Sequence, residues 1–263
     1  MAQHDYQFVS VEREGRLTVI TLDRPERLNA LHPPAHHELA GIFDAFARDP
    51  EQWVAILTAS GERAFCAGND LHFRAEHGRA PMPASGFGGL TARFDLDKPV
   101  IAAVNGLAVG GGFELALACD LAIAAEQASF SLPEVQVGLG ALAGGLQRLP
   151  RQIGLKPAMG IALTGRRVDA EEALRLGLVN QVVPGDQLLT AARCWAEQIL
   201  GAAPLAVRAA KQAMRCGLAY ADLAEAIRVQ DELPAVQRMR ESSDAIEGPR
   251  AFAERRPPRW RGQ

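Results

Sequence analysis

The sequence is poor in the features that would set it apart from ordinary globular proteins. Cysteine is scarce: Cys66, Cys119, Cys194 and Cys216 lie far apart and form no C-x-x-C pair. Reduced, buried thiols are therefore expected rather than a disulfide frame or a cysteine zinc site. No apolar run is long enough to cross a bilayer, and residues 1–15, MAQHDYQFVSVEREG, lack the basic flank and apolar stretch of a secretory leader. A cytoplasmic protein without membrane attachment is expected. Neither charge sign dominates, since the formal net charge is −3. No global field would draw nucleic acid or an anionic membrane, so any anionic ligand must be held locally. His32, His36 and His37 form the only histidine cluster, with no cysteine or metal-motif carboxylate pattern beside it, and no metal is expected there.

What is present is a chain of 263 residues, 48% hydrophobic and 22% charged, enough for one large core or one domain with an appendage. The stretch that organises it is PVIAAVNGLAVGGGFELALACDLAIA, Pro99 to Ala124. Val100 to Val104 reads as an interior strand, Gly110, Gly111 and Gly112 as a turn allowing close backbone approach, and Phe113 to Cys119 as a helix. A glycine turn feeding a helix start leaves N–H groups and the positive helix end pointing at one spot, which suits an anion. No Lys or Ser follows the glycines, so this is not a phosphate-cradling loop. Glu114 in the first helical turn is a catalytic candidate, although complementing the helix dipole would also explain it.

Around this centre the chain alternates strands and helices. Phe8–Arg13 and Leu17–Leu22 read as a hairpin around Gly15, residues 34–47 as an amphipathic helix, and Val54–Leu57 as a buried strand. Residues 64–71, AFCAGNDL, form a small-residue turn that leads into a polar, Gly- and Pro-rich stretch, residues 77–89, expected to be a mobile loop over a site. Leu121–Ala124 and Ser129–Leu132 are strands, and Pro133-Glu134 opens a helical turn. Glu134 again fits dipole compensation, but two acids flanking one glycine turn point to shared proton chemistry. Gly138 to Ala143 matches the dinucleotide fingerprint G-x-G-x-x-G/A without its context, because Pro133 truncates the strand and Gly144 and Gly145 interrupt the helix. From Ile153 the chain turns helical, with a short strand at Leu178–Val183, and its last fourteen residues carry five arginines. Such a run is either a solvated tail or a phosphate clamp.

RPERLNAL, AFCAGNDL, AVNGLAVGGGFELALACD, SFSLPEVQVG, LTGRRVDAEEALRLGLVNQVV and EGPRAFAERRPP occur in that order. Together they resemble the enoyl-CoA hydratase/isomerase, or crotonase, superfamily over nearly the whole length. The resemblance implies an α/β fold, a crotonase-like spiral of ββα units over residues 1–200. A helical C-terminal region over residues 201–263 would assemble trimers or dimers of trimers. It implies that the Asn69 and Gly111 N–H groups form an oxyanion hole for a coenzyme A thioester, with Glu114 and Glu134 as the catalytic acids. It further implies that Arg27, Leu28, Ala67, Asp70 and Leu71 line the path of the CoA moiety, and that Phe252 and Arg255 close over the nucleotide, often from a neighbouring subunit. No cofactor is implied, because coenzyme A enters as part of the substrate. Hydration of an α,β-unsaturated acyl-CoA is the expected activity. The alternatives are carnitinyl-CoA dehydratase-like or isomerase chemistry, or a non-catalytic CoA-binding protein. Asn69 in place of the usual Ala, and Gly140 to Gln147 without the usual proline and threonine, both border the acyl pocket and leave the acyl group open.

Overall fold

The computed structural model describes residues 6–78 and 80–263; of the leader and loop readings, residues 1–5 and Arg79 lie outside them. The first half repeats one unit, a long strand, a short strand and a helical segment. After the hairpin β1 (Val9–Glu14) and β2 (Leu17–Leu22), α1 (Pro33–Arg48) leads into three such units. They are β3 (Val54–Ala59), β4 (Ala64–Cys66) and α2 (Leu71–His77); β5 (Val100–Val104), β6 (Leu107–Val109) and α3 (Gly111–Ala118); and β7 (Leu121–Ala125), β8 (Ser129–Ser131) and a 3₁₀ turn at Pro133–Val137. Then come α4 (Gly145–Ile153), α5 (Leu155–Thr164), β9 (Val168–Asp169), α6 (Ala170–Leu176), β10 (Gln181–Val183), α7 (Leu188–Leu200), α8 (Pro204–Gly217), α9 (Leu223–Val229), α10 (Pro234–Glu241) and α11 (Ser243–Ala253).

The long strands form one sheet in the order β1-β2-β3-β5-β7-β10, parallel except for the β1–β2 hairpin. The short strands form a second sheet, β4-β6-β8-β9. Each unit thus places one strand in each sheet, which makes the chain a spiral. The inner strands β3, β5 and β7 are buried on both faces, which is why they read as continuous apolar runs rather than alternating ones. Ala55, Leu57, Ala102, Val104, Ala122 and Ala124 face a core shared with α1, α3 and the smaller sheet. Val54, Ile56, Ile101, Ala103 and Ile123 face a second core closed by Ala192 and Ala196 of α7, with Trp53 and Trp260 at its border.

Four sequence readings need correction. The cysteines are not all buried, since Cys194 is exposed and Cys216 half-buried. Gly144 and Gly145 do not interrupt a helix; they start α4, with Gly144 as its left-handed cap. Residues 77–89 are not one mobile loop, because Phe87, Gly88 and Gly89 are buried in a 3₁₀ turn against α1. Leu178–Val183 is strand only over Gln181–Val183.

Candidate active site

The spiral brings the segments that follow β4, β6 and β8 side by side, and every catalytic candidate sits in one of them. After β4, Leu31 pairs with Asn69 in a parallel bridge: Leu31 N–H donates to Gly68 O (2.8 Å) and Asp70 N–H to Leu31 O (2.9 Å). This pattern turns the Asn69 N–H the other way, and it donates to no group among the described residues. After β6, Gly110 takes φ +55° as the cap of α3, a backbone angle that favours glycine. Gly111 is the first residue of α3, and its N–H is likewise without a partner among the described residues. The two N–H groups are close, since a side chain on Gly68 would begin 3.3 Å from the Gly111 nitrogen. Gly112 lets α3 approach β4 closely; a Cβ there would lie 2.0 Å from Cys66 O.

Glu114, one turn into α3, is 3% exposed, and its Oε1 accepts the Gly145 N–H at 2.8 Å. Burial pushes its pKa up to about 7, opposed by the Gly145 N–H and reinforced by the charge of Glu134. Glu134, in the 3₁₀ turn after β8, stands against the glycine turn: its Oε1 lies 2.8 Å from where a Gly110 side chain would begin. Its Oε2 is buried without a hydrogen-bond partner, and burial also raises its pKa. The structure therefore brings Asn69, Gly111, Glu114 and Glu134 together. Two adjacent N–H donors and two carboxyls whose pKa values burial raises can stabilise a developing oxyanion and exchange protons beside it.

The other predicted residues divide. Leu28, Ala67 and Asp70 belong to the same turn system, because Ala67 N–H donates to Leu28 O (3.0 Å). The Asp70 carboxylate caps α2 through the Phe73 N–H and pairs with Arg24 at 3.0 Å, which holds its pKa down despite burial. Arg27 is exposed at the end of the 3₁₀ turn Pro25–Arg27, and Leu71 is exposed at the start of α2. Phe252 and Arg255 are not brought to the site within one chain. They lie exposed at the end of α11, which packs on α10. Neighbouring Arg256 is bound to Glu247 and Glu254, so it is not a free phosphate ligand.

Sequence reasoning missed three supports. Asn29, left-handed at φ +54° and 1% exposed, donates from Nδ2 to Ser60 O and Ala64 O and so fixes the link to β4. Arg24, which holds Asp70, was also passed over. His36 occupies the buried stripe of α1 with Leu39, Phe43 and Phe46; a histidine at helical spacing among apolar residues was the available signal. The three histidines do not converge, because His32 meets Phe8 and Phe73, His36 meets Phe87, and His37 reaches Pro81 O. The dinucleotide fingerprint also lacks its strand, since Val135–Val137 belong to a 3₁₀ turn.

Comparison with known proteins identifies the family. The sequence profile of the enoyl-CoA hydratase/isomerase family matches residues 12–263. Carnitinyl-CoA dehydratase of Proteus mirabilis (strain HI4320) is 45% identical over 262 residues, covering 98% of this chain and 99% of its own. The protein of the same name from Citrobacter koseri is 47% identical over 256 residues, covering 95% and 97%. Among solved structures, an enoyl-CoA hydratase from Mycobacterium tuberculosis H37Rv superposes with a TM-score of 0.91 at 41% identity, covering 97% of this chain and 99% of its own. One from Bacillus anthracis gives 0.89 at 38% identity, covering 98% and 100%. By profile, by sequence identity and by fold, the chain belongs to the enoyl-CoA hydratase/isomerase family.

Proposed function

We propose that the protein adds water reversibly across the α,β double bond of an enoyl-CoA thioester. The observation that carries this reading is the convergence of two N–H groups without partners among the described residues, Asn69 and Gly111, with the buried Glu114 carboxyl and the half-buried Glu134. The thioester oxygen accepts both N–H groups. As Glu114 takes a proton from water, the oxygen bonds to the β-carbon and the π electrons move onto the thioester oxygen as an enolate. Glu134 then delivers a proton to the α-carbon, and the enolate collapses to the 3-hydroxyacyl thioester. Preorganised donors of this kind are worth about 3 to 4 kcal/mol each where the charge develops. No cofactor takes part in these steps.

In this reading Arg27, Leu28, Ala67, Asp70 and Leu71 border the CoA path. Phe252 and Arg255 reach it from a neighbouring copy in a trimer or dimer of trimers, in the cytoplasm. A second reading, favoured by 45–47% identity to proteins named carnitinyl-CoA dehydratase, is the same water chemistry run as dehydration on a polar acyl group. Both are tested by mixing the protein with crotonyl-CoA, and separately with a panel of apolar and charged 3-hydroxyacyl-CoAs, with no cofactor added. Loss or gain of the conjugated thioester absorbance is expected, and the preferred acyl group chooses between the two. No change with any of these thioesters would overturn both readings.

A further inference from the structure

Beside the Phe87–Gly88 segment that packs against Gly111 lies a histidine that the reaction as described does not use. His36 is 1% exposed, with its ring edge-on to Phe87 and the centroids 4.5 Å apart. Phe87 in turn lies 2.6 Å from where a side chain on Gly111 would begin. Nδ1 of His36 accepts the Gly88 N–H at 3.1 Å. That bond fixes the tautomer, because a neutral ring accepting at Nδ1 carries its proton on Nε2. The ring is neutral throughout the ordinary assay range, since burial takes its pKa down to about 4. Nε2 is buried and has no hydrogen-bond partner among the described residues. The side chain whose hydrogen bonding favours a proton on the ring is that of Asn69, an exposed residue.

We propose, resting on the oxyanion-hole reading above, that His36 is a positioning residue for that hole. With the thioester bound, its Nε2–H takes the Asn69 side-chain oxygen and holds the Gly68–Asn69 peptide with its N–H aimed at the carbonyl oxygen. Its other edge holds the Phe87–Gly88 segment against Gly111. Only a neutral imidazole accepts on one edge and donates from the opposite one, so a single ring braces both donors. The pairing also accounts for Asn69: an alanine there would leave the buried Nε2–H with nothing to bond, which is unfavourable.

The test is the absorbance of bound cinnamoyl-CoA, a conjugated thioester whose spectrum moves to the red as its carbonyl is polarised, together with turnover of crotonyl-CoA. The wild-type protein is expected to show the shift. His36→Phe and Asn69→Ala should each lose most of it and lower kcat about tenfold, with the Kd for the thioester changed less than about threefold. The double variant should be no worse than either single one, and His36→Gln, which restores an N–H near the Nε2 position, should recover the shift. Asn69 is exposed, so Asn69→Ala carries the test even if His36→Phe fails to fold. An unchanged spectrum and kcat in Asn69→Ala would overturn the proposal. So would losses in His36→Phe that accompany a lower melting midpoint and weaker binding without rescue by Gln. A wild-type protein that binds cinnamoyl-CoA without a shift would instead remove the oxyanion hole, and this proposal with it.

Discussion

Glu114 sets turnover against stability. Its carboxyl is raised from 4.5 to about 7, so the folded state holds the proton more tightly than the unfolded chain does. The stability this confers is complete below about pH 4.5 and is lost as pH rises to about 7, above which the buried charge carries a net cost on the order of 3 kcal/mol. Glu114→Gln keeps the acceptor for the Gly145 N–H and removes the charge. It should therefore raise the melting midpoint by several degrees at pH 8 and change it little at pH 4.5; an unchanged midpoint at pH 8 would mean the carboxyl is not held in its raised state. The same titration governs rate. Hydration needs the Glu114 carboxylate, so kcat/KM should fall as pH drops through about 7, read from initial rates with a saturable enoyl-CoA. The placement of both acids was legible in the sequence, because each stands in the first turn of a helical segment, Glu114 after Gly110 to Gly112 and Glu134 after Pro133. Asn29 and His36 were not, because their roles depend on carbonyls and N–H groups more than thirty residues away, Ala64 O for one and Gly88 N–H for the other.

The element that decides the geometry is the glycine turn into α3. A methyl at Gly112 would meet the Cys66 carbonyl at 2.0 Å, and that carbonyl belongs to the backbone of β4. Gly112→Ala should destabilise the fold by about 3 kcal/mol or more, at the upper end of overpacking costs. Gly160→Ala, in α5 with nothing within 4 Å, should stabilise by about 0.5 to 1 kcal/mol. Chemical denaturation of the pair checks the contrast, and equal effects would show that close approach of α3 to β4 is not what the glycine serves. The long strands and most of the helices could be read from apolar runs and amphipathic spacing. The start of α4 could not, because Gly144 serves there as a left-handed cap rather than as a breaker. Phe87 to Gly89 also looked like loop, since a Gly-rich segment gives no local sign that tertiary packing buries it.

Over the whole molecule, apolar side chains remain uncovered in a single chain: Leu155, Met159 and Leu163 along one side of α5, Leu223 and Ile227 on α9, and Phe252 at the end of α11. Stripes of this kind fit contacts between copies and accord with Arg255 acting at a neighbour's site. Arg255→Ala should raise KM on the order of tenfold with little change in kcat, and the effect should vanish with a pantetheine thioester that lacks the nucleotide. Equal losses with both substrates would instead point to assembly or folding. The proposed pairing of tail and neighbour comes from the resemblance, since no pattern within one chain can show a contact with another copy. The central claim, that two carboxyls divide the proton work beside two N–H donors, is tested most directly by single-turnover hydration of the preferred enoyl-CoA by Glu114→Gln and Glu134→Gln, with thioester affinity measured on the same samples. Each variant is predicted to bind the thioester as the wild type does and to turn it over at least about a hundredfold more slowly. Hydration near the wild-type rate by either variant would contradict the account.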